Sequence, residues 1–555
     1  LVVILSLAGC GQVAPAPVPV PTPAPAPVPT PAPTPAPAPK PTPAPVPTPT
    51  GPYGTLRMAT GSFSDEIFDP ARASNGVILR FAAPLYDFMM RLDSSKLEPE
   101  VVESWELAPD GLSWTYHIRK GIKFHNGQAL TAADVKFTFD EYIGPQAYYA
   151  ELRGMVKSVE IVDDYTVKVN TIGPQPFLQQ TIAFSPSFRM GVVLPKGYIE
   201  QYGMAYYKLH PVGSGPWKFV RWVPGDMTQY EALTNHWRQT PAFKNLEFVV
   251  VPEENTRVAM LKTGVIDVTE IGIDSSIEME KAGDFKVRSM GSIQPQLLIG
   301  YGNSPKAVGM PVTDVRIRQA LSLAINRDEI ISQLLYGKAA RPLPPMIFPM
   351  SADIDIAYWQ KYIDNIYRYD VVEAKRLLKE AGYPDGFSVK IYSQPKAEFP
   401  QMGKVTEIVQ GYWQKMGIKA EIVPMEQSAY RALVKVDDSR VVGQIATYIK
   451  SASPVTGSDL WTGFHSGHQY VGRITMGGAI PELEKLIDMT GVELDPKKRT
   501  EYLDKAIKIA SETYTVLAIA QVPMMIGFGP RVDINLPLMG EGIIAYAAIA
   551  KHRQP

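Results

Sequence analysis

Every odd position from Pro15 to Pro49 is proline, with mostly Ala, Val or Thr between. Where each second residue lacks a backbone N–H, neither an α-helix nor a β-ladder can form, and polyproline II is the conformation that remains. The 35 residues of this tract, at about 3.1 Å each, predict a semi-rigid stalk of roughly 110 Å. A PxxP ligand for an adaptor domain is the other reading of such a tract. Beyond it the chain is ordinary globular material. Lys and Arg number 55 against 56 Asp and Glu, a formal net charge of -1. That balance excludes a basic nucleic-acid binder acting through bulk charge and an acidic disordered tail. The remaining length exceeds what one core usually supports, so two or three lobes are expected, and no repeat of solenoid or propeller period is evident.

Cys10 is the one cysteine of the 555 residues, so the globular part holds no disulfide, thiolate metal site or cysteine nucleophile. Its setting is an apolar run, LVVILSLA, too short to span a bilayer, leading into Leu7-Ala8-Gly9-Cys10. This resembles the end of a bacterial lipoprotein signal peptide with its lipobox. It implies a truncated signal segment 1–9, cleavage before Cys10, lipid on the cysteine, and a lipid-anchored proline-rich stalk over 10–52. No other run of about 18 uncharged apolar residues occurs, so an anchored and not a spanning protein is expected.

From Tyr53 the hydrophobic period alternates between two and 3.6, the pattern of an α/β (mixed α+β) chain. Trp114, Tyr116 and Ile118 alternate with polar residues, and Ile122 and Phe124 continue the pattern to Asn126-Gly127, which predicts a β-hairpin. Thr131 and Asp134 form a capping-box start for a helix carrying Val135 and Phe139. Asp370 and Glu373 open a second helix with Ala374, Leu377, Leu378 and Ala381 on one face, closed by Gly382 and Pro384. A strand around Val389, a helix with Val405, Val409 and Trp413, and a strand from Ile418 complete a β-α-β unit.

Several blocks together resemble the peptide/nickel class of ABC-transporter solute-binding proteins. They are Glu103-Ser104-Trp105-Glu106, Pro109-Asp110-Gly111-Leu112-Ser113-Trp114-Thr115-Tyr116, Ile118 to Gly127, and Leu130-Thr131-Ala132-Ala133-Asp134-Val135. Pro211-Val212-Gly213-Ser214-Gly215-Pro216-Trp217, Asp314 to Leu321 with Ala324-Ile325-Asn326-Arg327, Ala381 to Phe387, and Met416-Gly417-Ile418 follow in order. The resemblance implies a periplasmic-binding-protein-like, two-lobed clamshell with an additional inserted domain. Lobe one would comprise 53–93, 211–300 and 524–555 with the C-terminal tail, the insert 94–210, and the facing lobe 301–523. Crossings near Leu298 to Tyr301 and Met524 to Phe528 would form the hinge. Trp105, Trp114, Tyr116 and Phe124 read as hairpin core, and Arg316 and Arg318 as structural ion-pair partners.

Peptide-binding members of the class pair the peptide ammonium with an aspartate in a W-x-x-D-Y-P-D segment. Here Tyr448 replaces the tryptophan, Ser451 stands where the aspartate would, and Lys450 adds positive charge. Ordinary free-amine peptides are therefore expected to bind poorly, and a neutral or anionic solute is preferred. Asp459, with Trp461 nearby, substitutes for the aspartate if the loop is reshaped, or else caps a helix. The loop after the Val389 strand offers Gln394 and Lys396, the latter an anion contact, and the loop after the first strand offers Ser62 and the Phe63 ring.

His465 and His468 have i, i+3 spacing without an accompanying carboxylate pair or cysteine, so no metal site and no cofactor is expected. Val212-Gly213-Ser214-Gly215 and Gly527-Phe528-Gly529 fall short of the G-x-S-x-G and dinucleotide patterns, which leaves a binding protein and not an enzyme. The expected partners are a small-molecule solute and an ABC permease with its ATPase subunits. The membrane is met through the lipid anchor alone, nucleic acid is not bound, and the protein is a monomer outside the cytoplasmic membrane. A receptor that signals without transport fits the same sequence.

Overall fold

The computed structural model describes residues 51–63, 66–73, 82–93, 96–148, 151–184, 191–283, 285–351, 353–394, 399–435, 439–452, 455–467, 480–534, 547 and 549–553. The chain divides into units 1–48 and 49–555. The expected signal segment, Cys10 and the proline tract lie outside the described residues.

The strands in chain order begin with β1 (Thr55–Thr60), β2 (Met90–Asp93), β3 (Lys96–Pro99), β4 (Val102–Leu107), β5 (Ser113–Ile118), β6 (Val156–Asp163) and β7 (Thr166–Thr171). Next come β8 (Ala183–Phe184), β9 (Trp217–Val223), β10 (Met227–Ala232), β11 (Asn245–Val250), β12 (Val268–Ile271) and β13 (Lys286–Ile299). The last are β14 (Ser388–Ser393), β15 (Lys419–Pro424), β16 (Ile445–Ser451), β17 (Val516–Ala518), β18 (Val522–Phe528), β19 (Val532–Asp533) and β20 (Lys551–His552).

One large sheet runs β15-β14-β16-β13-β18-β12-β1-β11-β10-β9, with β17 paired to β13. In its β14–β16 half, Ile391, Leu297 and Ile445 point to a core shared with the helices Val315–Leu323, Val371–Glu380 and Met402–Gln414. Leu298 and Ala446 point to a second core with Leu460, Leu483 and Leu503. The half built on β1, β11 and β12 is likewise covered on both faces, around Met58 and Phe248 on one and Ala59 and Leu261 on the other. Strands covered on both sides carry apolar residues on both faces, as Leu297-Leu298 and Ile445-Ala446 do. The segment 94–210 has its own sheet, β4-β5-β7-β6, and its own core around Tyr116, Phe139 and Val167.

Local expectations hold where short-range chemistry decides. Asp134 Oδ2 accepts from Thr131 N at 2.9 Å at the start of the helix Ala132–Ile143, the reciprocal half of a capping box. Asp370 Oδ1 accepts from Glu373 N at 2.9 Å, and β14 and β15 pair in parallel around the helix Met402–Gln414. The hairpin differs from expectation. β5 pairs with β4 through the Pro109-Asp110-Gly111 turn and with β7, whereas Lys123 bridges only Ala129. Alternation fixed the faces of the segment but not its partner. The glycines of Val212-Gly213-Ser214-Gly215 are required by proximity: a Cβ on Gly213 would sit 2.0 Å from Leu85 O, and one on Gly215 2.5 Å from Tyr86 N.

Two buried arginines set the β13–β18 region. Arg316 pairs with Asp314, as expected, but Arg318 is not an ion-pair partner: its guanidinium donates to the carbonyls of Thr513, Gly302, Val312 and Thr313. Arg327 donates to Ala518 O at 2.8 Å and lies 4.1 Å from the centroid of the Tyr367 ring. Elsewhere Asp87 accepts from His236, Trp237 and Arg238 at 3.2, 2.8 and 3.1 Å, tying the segment before β2 to the segment before β11. Burial pushes the Asp87 carboxyl up, but the His236 hydrogen bond and the Arg238 charge outweigh it and hold it below its ordinary value.

Candidate functional site

The strand directions locate a cleft. β1, β11 and β12 are mutually parallel, as are β14, β15 and β16, and the antiparallel pair β13 and β18 lies between the two sets. The carboxyl ends of the two parallel sets therefore face each other. Ile271, the last residue of β12, pairs with Met525, which pairs with Ser289; Ser451, the last residue of β16, pairs with Ile293. Among the described residues only β13 and β18 cross between Ser289 and Ile293, and there β13 has a register shift with Gly291 at φ 66°. Carboxyl ends of strands at a change of order are where open α/β sheets expose ligands. The expected crossing at Leu298 to Tyr301 falls at the far end of β13, where Leu298 already pairs with Ala446 of β16. β13 is one unbroken strand, so its partner change and not its end marks the crossing.

A small pocket of about 60 Å³ lies at the gap and is lined by Gly61, Arg257, Glu270, Phe399, Gln401 and Met524 among others. Its lobe-one rim is held by side chains on backbone. Arg257 donates to Val251 O and Pro252 O at 2.7 and 2.8 Å, and Glu254 accepts from Gly272 N at 2.7 Å. Gln401 reaches across to Asp274 at 3.4 Å, and Lys338 pairs with Glu280 at 2.6 Å, so the helix Ile273–Ala282 touches the facing lobe by polar contacts.

On the other lobe, apart from the lining of that pocket, two buried amides stand on β13. Gln294 and Gln296 are fully buried at alternate positions of β13, opposite Lys450 and Tyr448. Gln294 Nε2 donates to the carbonyls of Leu343, Pro344 and Ile347 at 3.3 to 3.4 Å, and its Oε1 accepts from Met346 N at 3.1 Å. Gln521 Nε2 adds a bond to Ile347 O at 2.8 Å. These amides hold an irregular segment whose Leu343, Met346, Ile347 and Phe348 are buried and whose Met346 has φ 68°. Buried backbone outside regular structure needs such partners. The signal for them was present in Gln294-Pro295-Gln296, polar residues two apart in an otherwise apolar strand.

The expected site residues divide. Tyr448, Lys450 and Ser451 stand together on β16 at the gap, all half-buried, and Asp459 is brought to them. Lys450 Nζ lies 2.6 Å from Asp459 Oδ1, with side chains 13% and 2% exposed. The positive charge expected of Lys450 is thus matched by Asp459. Asp459 is not a helix cap: it sits in the first turn of the helix Thr456–Phe464, whose N-cap is Val455. Gln394 is buried at the end of β14, and Lys396 lies outside the described residues. Ser62 is exposed, whereas Phe63 forms no cleft wall; its ring packs in the core 5.3 Å from that of Phe248, because the chain turns inward after Gly61. Trp461 stacks on His465 at 5.6 Å, and His465 pairs with Asp488 at 3.1 Å. His468 lies outside the described residues, and among the described residues no three metal-ligating side chains gather.

The insert also meets the facing lobe. Arg499 lies 5.0 Å from the centroid of the Phe177 ring, Met350 packs against the 94–210 core, and a Cβ on Gly111 would sit 2.9 Å from Leu494.

With this geometry in view, a family model for bacterial extracellular solute-binding proteins, family 5, matches residues 96–468. The chain belongs to this family. Heme-binding protein A of Haemophilus influenzae is 32% identical over 377 residues, which cover 62% of this chain and 64% of that protein, just under two thirds of its length. The dipeptide-binding protein of Escherichia coli is 28% identical over 411 residues, covering 68% and 73%. The periplasmic binding protein DppA from Helicobacter pylori, solved with the peptide STSA, superposes with a TM-score of 0.75 at 22% identity, covering 91% of this chain and 99% of that one. The fold of this family-5 protein is accordingly the two-lobed one of periplasmic binding proteins, with facing strand ends as its cleft. No helix among the described residues is long and apolar enough to cross a membrane.

Proposed function

We propose that the protein captures a small organic solute, peptide-like or otherwise, between the facing strand ends and delivers it to an ABC permease outside the cytoplasmic membrane. The observation that carries this reading is the gap between Ile271 and Ser451, crossed among the described residues by β13 and β18 alone. Two lobes joined by two strands can rotate about them, and a solute that touches both lobes stabilises the closed arrangement. In this reading 53–93 and 524–555 belong to lobe one and 94–210 is the insert, while the expected boundary at 300 moves to the Gly291 shift, because Ile293 to Ile299 already pair with β16: lobe one takes 211–290, the facing lobe 292–523, and the pivot lies between them. The relatives named for heme and dipeptide binding support an organic solute while differing in which one. Cys10 and the proline tract would anchor the monomer by lipid and hold it away from the bilayer. Native mass spectrometry of the purified protein, followed by denaturation, tests capture. An unmodified small molecule released in stoichiometric amount supports it, and a turned-over product refutes it.

A further inference from the structure

The Lys450–Asp459 pair is built into the gap. Lys450 occupies the carboxyl end of β16, directly across from the buried Gln294 on the crossing strand, and Asp459 comes from the helix that follows. A carboxylate in the first turn of a helix faces the positive end of the helix dipole. Buried to 2% exposure, it also requires a cation close by. At 2.6 Å that cation is an alkylammonium from the same chain, carried on a neighbouring strand.

We propose that Lys450 is a tethered ammonium that fills a carboxylate socket in the cleft, so that the protein selects solutes presenting no ammonium group to β16. This rests on the solute-capture reading above and adds to it the chemical class of the ligand: an organic solute bearing hydroxyl, amide or blocked-amine groups at that end. A free ammonium entering the site would compete for Asp459 with a cation held at high effective concentration, and would stand beside it as a like charge. Sequence reasoning placed Lys450 as a spare positive charge and Asp459 as a substitute anchor for a ligand; the pair cancels both roles at once.

The test is to vacate the socket. Lys450→Met keeps the length of the stem and removes the ammonium, leaving Asp459 to accept another. Propylammonium chloride should raise the melting temperature of Lys450→Met by about 2 °C or more at saturation. Sodium chloride at equal ionic strength should not. Wild type should respond equally to both salts, and Lys450→Met/Asp459→Asn, which removes both charges and keeps folding testable, should lose the response. By calorimetry, alanyl-alanine should bind Lys450→Met at least tenfold more tightly than wild type. The inference is overturned if wild type binds alanyl-alanine with micromolar affinity, or if the folded single variant shows no preference for propylammonium over sodium. Wild type that retains and closes on its co-purifying solute while failing these arms would leave the capture reading intact. Wild type that carries no solute and never closes would remove that reading instead.

Discussion

Replacing Arg318 should loosen the far end of β13 and the entry to β17. Its guanidinium joins Gly302, just past the end of β13, to Thr513, just before β17, and to Val312 and Thr313 at the start of its own helix, at 2.7 to 3.0 Å. Asn303 takes the remaining nitrogen. Burial pushes its pKa down to about 10, which still leaves it charged at neutral pH. Methionine in its place would preserve the packing of the stem but strand at least three buried carbonyls. At roughly 1 to 1.5 kcal/mol for each lost donor, Arg318→Met should cost about 4 kcal/mol. Lysine retains the charge and up to three donors but cannot span the planar fork, so Arg318→Lys should cost about 2 kcal/mol. Urea unfolding followed by tryptophan fluorescence and by circular dichroism measures both, coincident transitions licensing a single free energy. A loss under about 1 kcal/mol for the methionine variant, or equal losses for both, would refute the carbonyl-cage reasoning.

Two further outcomes follow from the residues around the lobes. Burial lowers the His125 pKa from 6.5 to about 4, with its Nε2 bonded to Gly215 O at 2.8 Å, so the imidazole is neutral when folded. Since the unfolded chain takes up that proton first, the contribution is fully present above pH 6.5, declines as the pH falls from 6.5 to 4, and changes no further below. The partly exposed ring makes about 1–2 kcal/mol reasonable, and His125→Gln should flatten the stability profile between pH 7 and 4.5; an unchanged slope would contradict this. With a complete signal peptide supplied, Cys10→Ala should abolish incorporation of labelled fatty acid and release the protein from membranes; undiminished labelling would remove the anchor.

What the sequence revealed followed from how local each cause is. The helix Val371–Glu380 and its Asp370 cap, the Thr131 and Asp134 box, and the β14-helix-β15 unit depend on residues a few positions apart. The partner of β5 depends on register with β4 and β7, which alternation alone leaves open. That Tyr448, Lys450 and Ser451 share the carboxyl end of one strand was legible, and β16 ends beside the gap. The electrostatics there were not, because the charge of Lys450 is decided by how the chain turns between β16 and the next helix. Arg318 likewise gave no hint of its role: its partners are backbone carbonyls up to 195 residues away, which carry no side-chain signature.

Capture by closure is tested most directly where the insert meets the facing lobe, with Gly111 against Leu494. Cys10 is the chain's only cysteine, so Cys10→Ser with Leu112→Cys and Val492→Cys places two spin labels at exposed positions. Pulsed electron resonance should give a long, broad distance distribution for protein stripped of ligand by unfolding and refolding, and a shorter, narrower one after its co-purifying solute is returned. One unchanged distribution, at solute concentrations that saturate binding, would contradict closure as the consequence of capture.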